Sequence, residues 1–149
     1  MKKKYPLTLQ EYESIYSKVP RLNVEVVVKE KDGIVLTLRK IEPWKGQWHI
    51  PGGLVWNKET LEDAVRRVAK DEVGIDVRVK RFLGVIYYPS EEKLRGWGWA
   101  VGMAFLVKRV SGEFRGSEQG DEVRTFSKAE DGVIKEQKEF LIEHGLLKR

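Results

Sequence analysis

Residues 51–75 read PGGLVWNKETLEDAVRRVAKDEVGI, and the fold turns on how this stretch is read. Gly52 and Gly53 let the backbone turn sharply or come close to a ligand. A helix follows them. Thr60 is placed to cap its first turn, with Asp63 reaching back as a capping-box partner, and Gly74 suits a left-handed terminus. Advancing ~100° per residue from Leu61 puts Val65 near ~40°, Val68 near ~340° and Glu72 near ~20°, so a carboxylate lies along the apolar stripe. A bare carboxylate there costs on the order of several kcal/mol unless it is paired, protonated or bound to a cation. A metal is its natural partner; the competing reading is an ordinary charged helix with Glu72 at an exposed edge. Asp71 lies close in angle to Arg67 one turn back, which predicts that one of the two acids is paired along the helix.

The whole chain narrows the chemistry. Its 149 residues suit one domain with a real core, and the absence of cysteine excludes disulfides, thiolate metal sites and a cysteine nucleophile. The net charge of +5 sits largely at the ends, in Lys2 to Lys4 and Lys148-Arg149. No basic and aromatic alternation suggests a nucleic-acid platform, so no nucleic-acid partner is expected. No apolar run approaches the ~20 residues of a membrane span, and Met1 to Pro6 does not lead into a signal peptide. A cytoplasmic protein with no membrane partner is the expectation.

Working outward, Leu7 to Val19 carries Leu9, Tyr12, Ile15 and Tyr16 at helical spacing ahead of Pro20. Val24 to Lys29 and Ile34 to Arg39 read as strands joined by a turn at Lys31-Asp32-Gly33. Val77 to Tyr88 and Trp99 to Val107 read as further strands, with Pro89 to Gly98 a polar connection. Asp131 to Leu147 reads as a C-terminal helix. Strands and helices in this order predict an α/β or α+β sandwich.

Gly53, Glu59, Arg67, Glu72, Gly74 and Ile75 fall at the spacing of the Nudix box, Gly-x5-Glu-x7-Arg-Glu-U-x-Glu-Glu-x-Gly-U, with U a bulky aliphatic residue. The segment resembles that box. The resemblance implies a single Nudix hydrolase domain over 1–149, built as an α/β/α sandwich around a mixed sheet. It implies Mg²⁺, with Mn²⁺ as an alternative, as cofactor, and a small nucleotide as substrate. In this reading Glu72 is the principal metal ligand, the Gly52 carbonyl a second and Asp71 a further acid at the metal. Arg67 orients Glu59, while Gly53, Arg39 and Trp44 are the substrate-binding candidates. Related hydrolases often pair, so a homodimer is the implied assembly.

Departures from the pattern sharpen it. Val68 stands where the box has Glu, Ala69 replaces a bulky aliphatic residue and Asp71 replaces Glu. One bound cation is therefore expected instead of a cluster. Altered boxes of this kind are similar to those of the GDP-mannose mannosyl hydrolases. That resemblance extends over Arg39, Gly46-Gln47-Trp48, Gly84-Val85 and Glu118-Gln119, and makes Gln119 a metal ligand. The general-base His of that subgroup is replaced by Gly120. Glu118, Asp121 and Glu122 are the carboxylates placed to act instead, with Glu122 carried as the catalytic candidate.

The leading reading is thus a Mg²⁺-dependent hydrolase of a nucleoside diphosphate linked to another moiety, a nucleotide sugar such as GDP-mannose first. The alternatives are a nucleoside triphosphate or ADP-ribose pyrophosphohydrolase, and a nucleotide-binding module without catalysis. Of the two histidines, His49 reads as a satisfied structural residue and His144 as a surface one.

Overall fold

A computed structural model describes residues 5–117, 120 and 122–149. Glu118, Gln119 and Asp121, three of the loop candidates, lie outside the described residues.

The elements follow in the order α1 (Leu9–Tyr16), β1 (Arg21–Glu30), β2 (Gly33–Leu38), β3 (Trp48–His49), β4 (Gly52–Leu54), α2 (Leu61–Val73), β5 (Asp76–Tyr87), α3 (Pro89–Arg95), β6 (Ala100–Ser111), β7 (Val123–Phe126) and α4 (Lys135–Glu143). The strands form a mixed sheet in the order β3-β2-β1-β6-β5, with β4 paired to β1 and β7 to β2. Strand β1 runs parallel to β6 and antiparallel to β4 and β2. Its run of β-branched residues is buried on both faces, as the centre of a covered sheet requires.

Alternation along β1 sorts the core into two layers. Val24, Val26 and Val28 pack against Ala64, Val65, Val68, Ala69 and Val73 of α2. Val27, with Ile34, Leu36 and Phe126, packs against Phe140 and Leu141 of α4. This is the expected α/β/α sandwich with a mixed sheet. No helix among the described residues is long and apolar enough to cross a membrane.

Several local expectations change. The connection after β5 contains a helix: Pro89 opens α3, Glu91 and Glu92 stand in its first turn, and Gly96 closes it at φ 82°. Those terminus signals outweigh its short length. The C-terminal helix is shorter than 131–147, ending as Gly145 turns left-handed at φ 68°. Thr60 does accept from the Asp63 N–H, at 3.1 Å, but the Asp63 carboxylate pairs with Arg66; the reciprocal box forms instead at α1, between Thr8 and Glu11. The short strands β3, β4 and β7 carry too few residues for a periodic signal.

Candidate active site

The glycine turn and the start of β1 meet α2 beside a cavity of about 610 Å³. Gly52, Gly53, Arg39, Trp44, Arg67, Asp71 and Glu72 all line it. Seven separately inferred residues are thereby brought together. Glu59 stands behind Arg67, whereas Glu122 is exposed and does not line the cavity. Its carbonyl accepts from the Leu38 N–H at 3.0 Å, tying the backbone to β2.

Both glycines are closely packed. A Cβ on Gly52 would lie 2.5 Å from Glu25 Oε2, and one on Gly53 would lie 3.1 Å from Val68 Cγ2. Val68, the departure from the box, is thus spent on packing under the turn. At Gly120 a Cβ would lie 2.7 Å from the Leu38 carbonyl oxygen, so a histidine has no room there without a backbone shift.

Arg67 clamps the loop to α2. Its Nε donates to Glu59 Oε2 at 2.7 Å, and Nη2 donates to Glu59 Oε1 at 2.9 Å and to the Leu54 carbonyl at 2.7 Å. The guanidinium also stacks over Trp56, 3.9 Å from the ring centroid. Glu59 accepts from the Trp56 N–H as well. The helical neighbour Asp71 is passed over because the loop brings Glu59 into bidentate geometry. Glu72 is half-buried, and its Oε2 accepts from Ser117 Oγ at 2.9 Å.

Arg39 is anchored by its Nε, which donates to the Pro43 carbonyl at 2.6 Å. Burial lowers its pKa, and the nearby Glu72 and Glu25 carboxylates oppose that shift. Trp44 packs its ring 5.6 Å from Tyr88.

Sequence reasoning missed the floor of the cavity. Glu25 is 4% exposed, and its Oε1 accepts from the Tyr88 hydroxyl at 2.8 Å. Gln137 Nε2 donates to that hydroxyl, while Gln137 Oε1 accepts from the Ile50 N–H. Burial pushes the Glu25 carboxyl up to about 8, against the Tyr88 hydrogen bond that favours its charged form. The available signal was one acid inside VEVVV, a strand too apolar to be exposed on either face.

His49 is structural. Its Nδ1 donates to the Ile50 carbonyl and its Nε2 accepts from Thr37 Oγ1, both at 2.8 Å, and burial lowers its pKa to about 3. His144 is not a plain surface residue: its ring nitrogens lie 2.9 Å from the Phe140 and 3.1 Å from the Leu83 carbonyl oxygens, tying α4 to β5.

The donor set fits a hard divalent cation. Glu72, Asp71 and the Gly52 backbone offer only oxygen, and Mg²⁺ is commonly held by one or two carboxylates together with substrate phosphates.

A family model described as the NUDIX domain matches residues 19–141, and the chain belongs to that family. Among its relatives, "Low-salt glycan biosynthesis protein Agl8" of Haloferax volcanii is 43% identical over 74 residues, which is 50% of this chain and 47% of that one. "ADP-ribose pyrophosphatase" of Methanocaldococcus jannaschii is 32% identical over 107 residues, 72% of this chain and 62% of that one. The chain thus spans about half to three fifths of the length of these two relatives. The crystal structure of a MutT NUDIX hydrolase from Burkholderia pseudomallei superposes with a TM-score of 0.73 at 25% identity, covering 83% of this chain and 97% of that one.

Proposed function

We propose that this protein hydrolyses a nucleoside diphosphate linked to another moiety, with a nucleotide sugar such as GDP-mannose as the first candidate. The observation that carries the reading is the convergence of Gly52, Arg67, Asp71 and Glu72 on one cavity, which Arg39, anchored to the Pro43 carbonyl, also lines. Mg²⁺, held by Glu72, Asp71 and the Gly52 carbonyl, would neutralise charge on the phosphates and the leaving group. Gln119 remains a proposed further ligand, and Glu122 keeps only a place in the loop as a candidate base. Arg67 and Glu59 act by fixing the loop that approaches the diphosphate. Arg39 supplies a cation in the cavity, and Trp44 an aromatic face.

Water attacks either phosphorus or the anomeric carbon of the sugar. Hydrolysis of GDP-mannose in ¹⁸O-water separates the two, placing label in phosphate or in sugar. Release of mononucleotide, sugar or phosphate that disappears in Glu72→Gln supports the enzyme reading. Binding without turnover would make the chain a nucleotide-binding module. ADP-ribose belongs in the same panel, because of the pyrophosphatase relative. A homodimer is the assembly we expect, checked by light scattering.

A further inference from the structure

Away from the cavity, part of one sheet face is left open. Cross-strand register places Leu22 of β1 beside Val101 of β6, and Val101 beside Tyr87 of β5. The next row holds Val24, Met103 and Val85, and the one after it Val26, Phe105 and Phe82. Residues paired in this way share a face of the sheet. It is the face on which α2 packs: Val24, Val26 and Phe105 belong to the layer beneath that helix, with Met103 at its margin. The rest of the face is uncovered. Leu22, Phe82, Val85 and Tyr87 stay exposed, from 38% at Val85 to 54% at Tyr87, and so does Trp99, which stacks on Tyr87 at 6.0 Å.

A strand with one face in water alternates apolar and polar residues. Strand β5 departs from that rule, because its exposed positions beside Val101, Met103 and Phe105 are Tyr87, Val85 and Phe82. Aromatic side chains bury roughly 150–250 Å² each, so these five half-exposed side chains offer on the order of 400–500 Å² of apolar surface. A standard interface takes about 800 Å² from each partner, of which roughly three fifths is apolar. One such face on each of two chains therefore supplies the apolar core of a dimer. A closed two-fold sets the same patch on both sides of the contact, and one open sheet face packs well on another.

The edge of β5 is unsuited to the same task. Register shifts between Val79 and Arg81 and between Phe82 and Gly84 bulge the strand, and the Leu83 carbonyl oxygen lies 3.1 Å from His144 Nε2. Bulges and an occupied carbonyl protect an edge against strand addition. The contact surface is thus the face of the sheet.

We propose that the face formed by Leu22, Phe82, Val85, Tyr87 and Trp99 docks a second copy of this chain across a two-fold axis. It gives a surface to the homodimer expected above and is independent of the hydrolase reading. In sedimentation equilibrium the full chain is a dimer, and Val85→Lys and Tyr87→Lys each weaken it at least roughly 30-fold, because every anchor occurs twice in a two-fold interface. Circular dichroism of both variants separates dissociation from unfolding. The chain has no cysteine, so a single introduced one reports proximity without altering charge. Val85→Cys is joined to its partner by a short bismaleimide, whereas Asp32→Cys, in the β1–β2 turn, is not. A dimer that resists both lysine substitutions and leaves Val85→Cys unlinked overturns this face while the homodimer stands. A monomeric natural chain overturns the face and the homodimer together, and nucleotide hydrolysis still decides the enzyme reading. A monomer that co-sediments with phosphatidylcholine vesicles gives the face to a lipid surface and likewise overturns the proposal.

Discussion

Arg67 holds Glu59 through two hydrogen bonds of 2.7 and 2.9 Å, joining α2 to the loop that leaves the glycine turn. Both side chains are largely withdrawn from solvent, 16% and 11% exposed. Removing one partner therefore strands the other. Arg67→Ala should lower stability by about 3 kcal/mol, near the range for breaking a buried pair, and Arg67→Lys should recover only part because it cannot bind bidentately. Urea denaturation measures the loss. An unchanged midpoint in Arg67→Ala would show that the clamp does not hold the loop.

Glu72→Gln keeps the shape of the side chain and removes its charge. The Ser117 contact can persist, so the fold should be retained. Hydrolysis should fall by at least roughly 100-fold, since even groups one step behind a metal ligand cost 10–100-fold when mutated. Stabilisation of the protein by added Mg²⁺ should shrink with it, as read by thermal shift.

Gly52→Ala places a methyl 2.5 Å from Glu25 Oε2, so the carboxyl must move or the turn must open. A loss of about 1–3 kcal/mol is expected from overpacking, together with loss of activity. Pairing it with Glu25→Ala should restore part of the stability, because the colliding atom is gone. A double-mutant cycle by urea denaturation tests this; strict additivity would count against the contact.

Two buried groups give stability opposite pH dependences. Glu25 has its pKa raised from 4.5 to about 8, so its contribution is full below pH 4.5 and lost as pH rises through 8. His49 has its pKa lowered from 6.5 to about 3, so its contribution is full above pH 6.5 and lost as pH falls toward 3. Each slope is at most about 1.4 kcal/mol per pH unit. Glu25→Gln should accordingly raise the urea midpoint at pH 8 relative to the natural chain and leave it nearly unchanged at pH 4.5. A lower midpoint at pH 8 would mean that the charged carboxylate stabilises the fold.

Much of the site was readable from residues close together in the chain. Thr60 and Gly74 mark the limits of α2, and α2 carries Arg67, Asp71 and Glu72 at spacings that helix geometry alone can place. The Arg67 partner was legible only through the resemblance, because angular proximity on the helix favours Asp71. Glu122 is exposed and outside the cavity lining, which its nearness to Gln119 in the chain could not show.

Local patterning by itself determined the sandwich, the glycine turn and the carboxylates of α2, since periodicity and capping act over a few residues. Tertiary structure alone decided what lies beneath and beyond them. Glu25 meets Tyr88 across 63 residues, Tyr88 meets Gln137 across 49, and Arg21 meets Glu91 across 70. Contacts that distant leave no trace in local spacing. They exist because β1 lies beside β6 and, through β6, near β5, while α4 closes the opposite face.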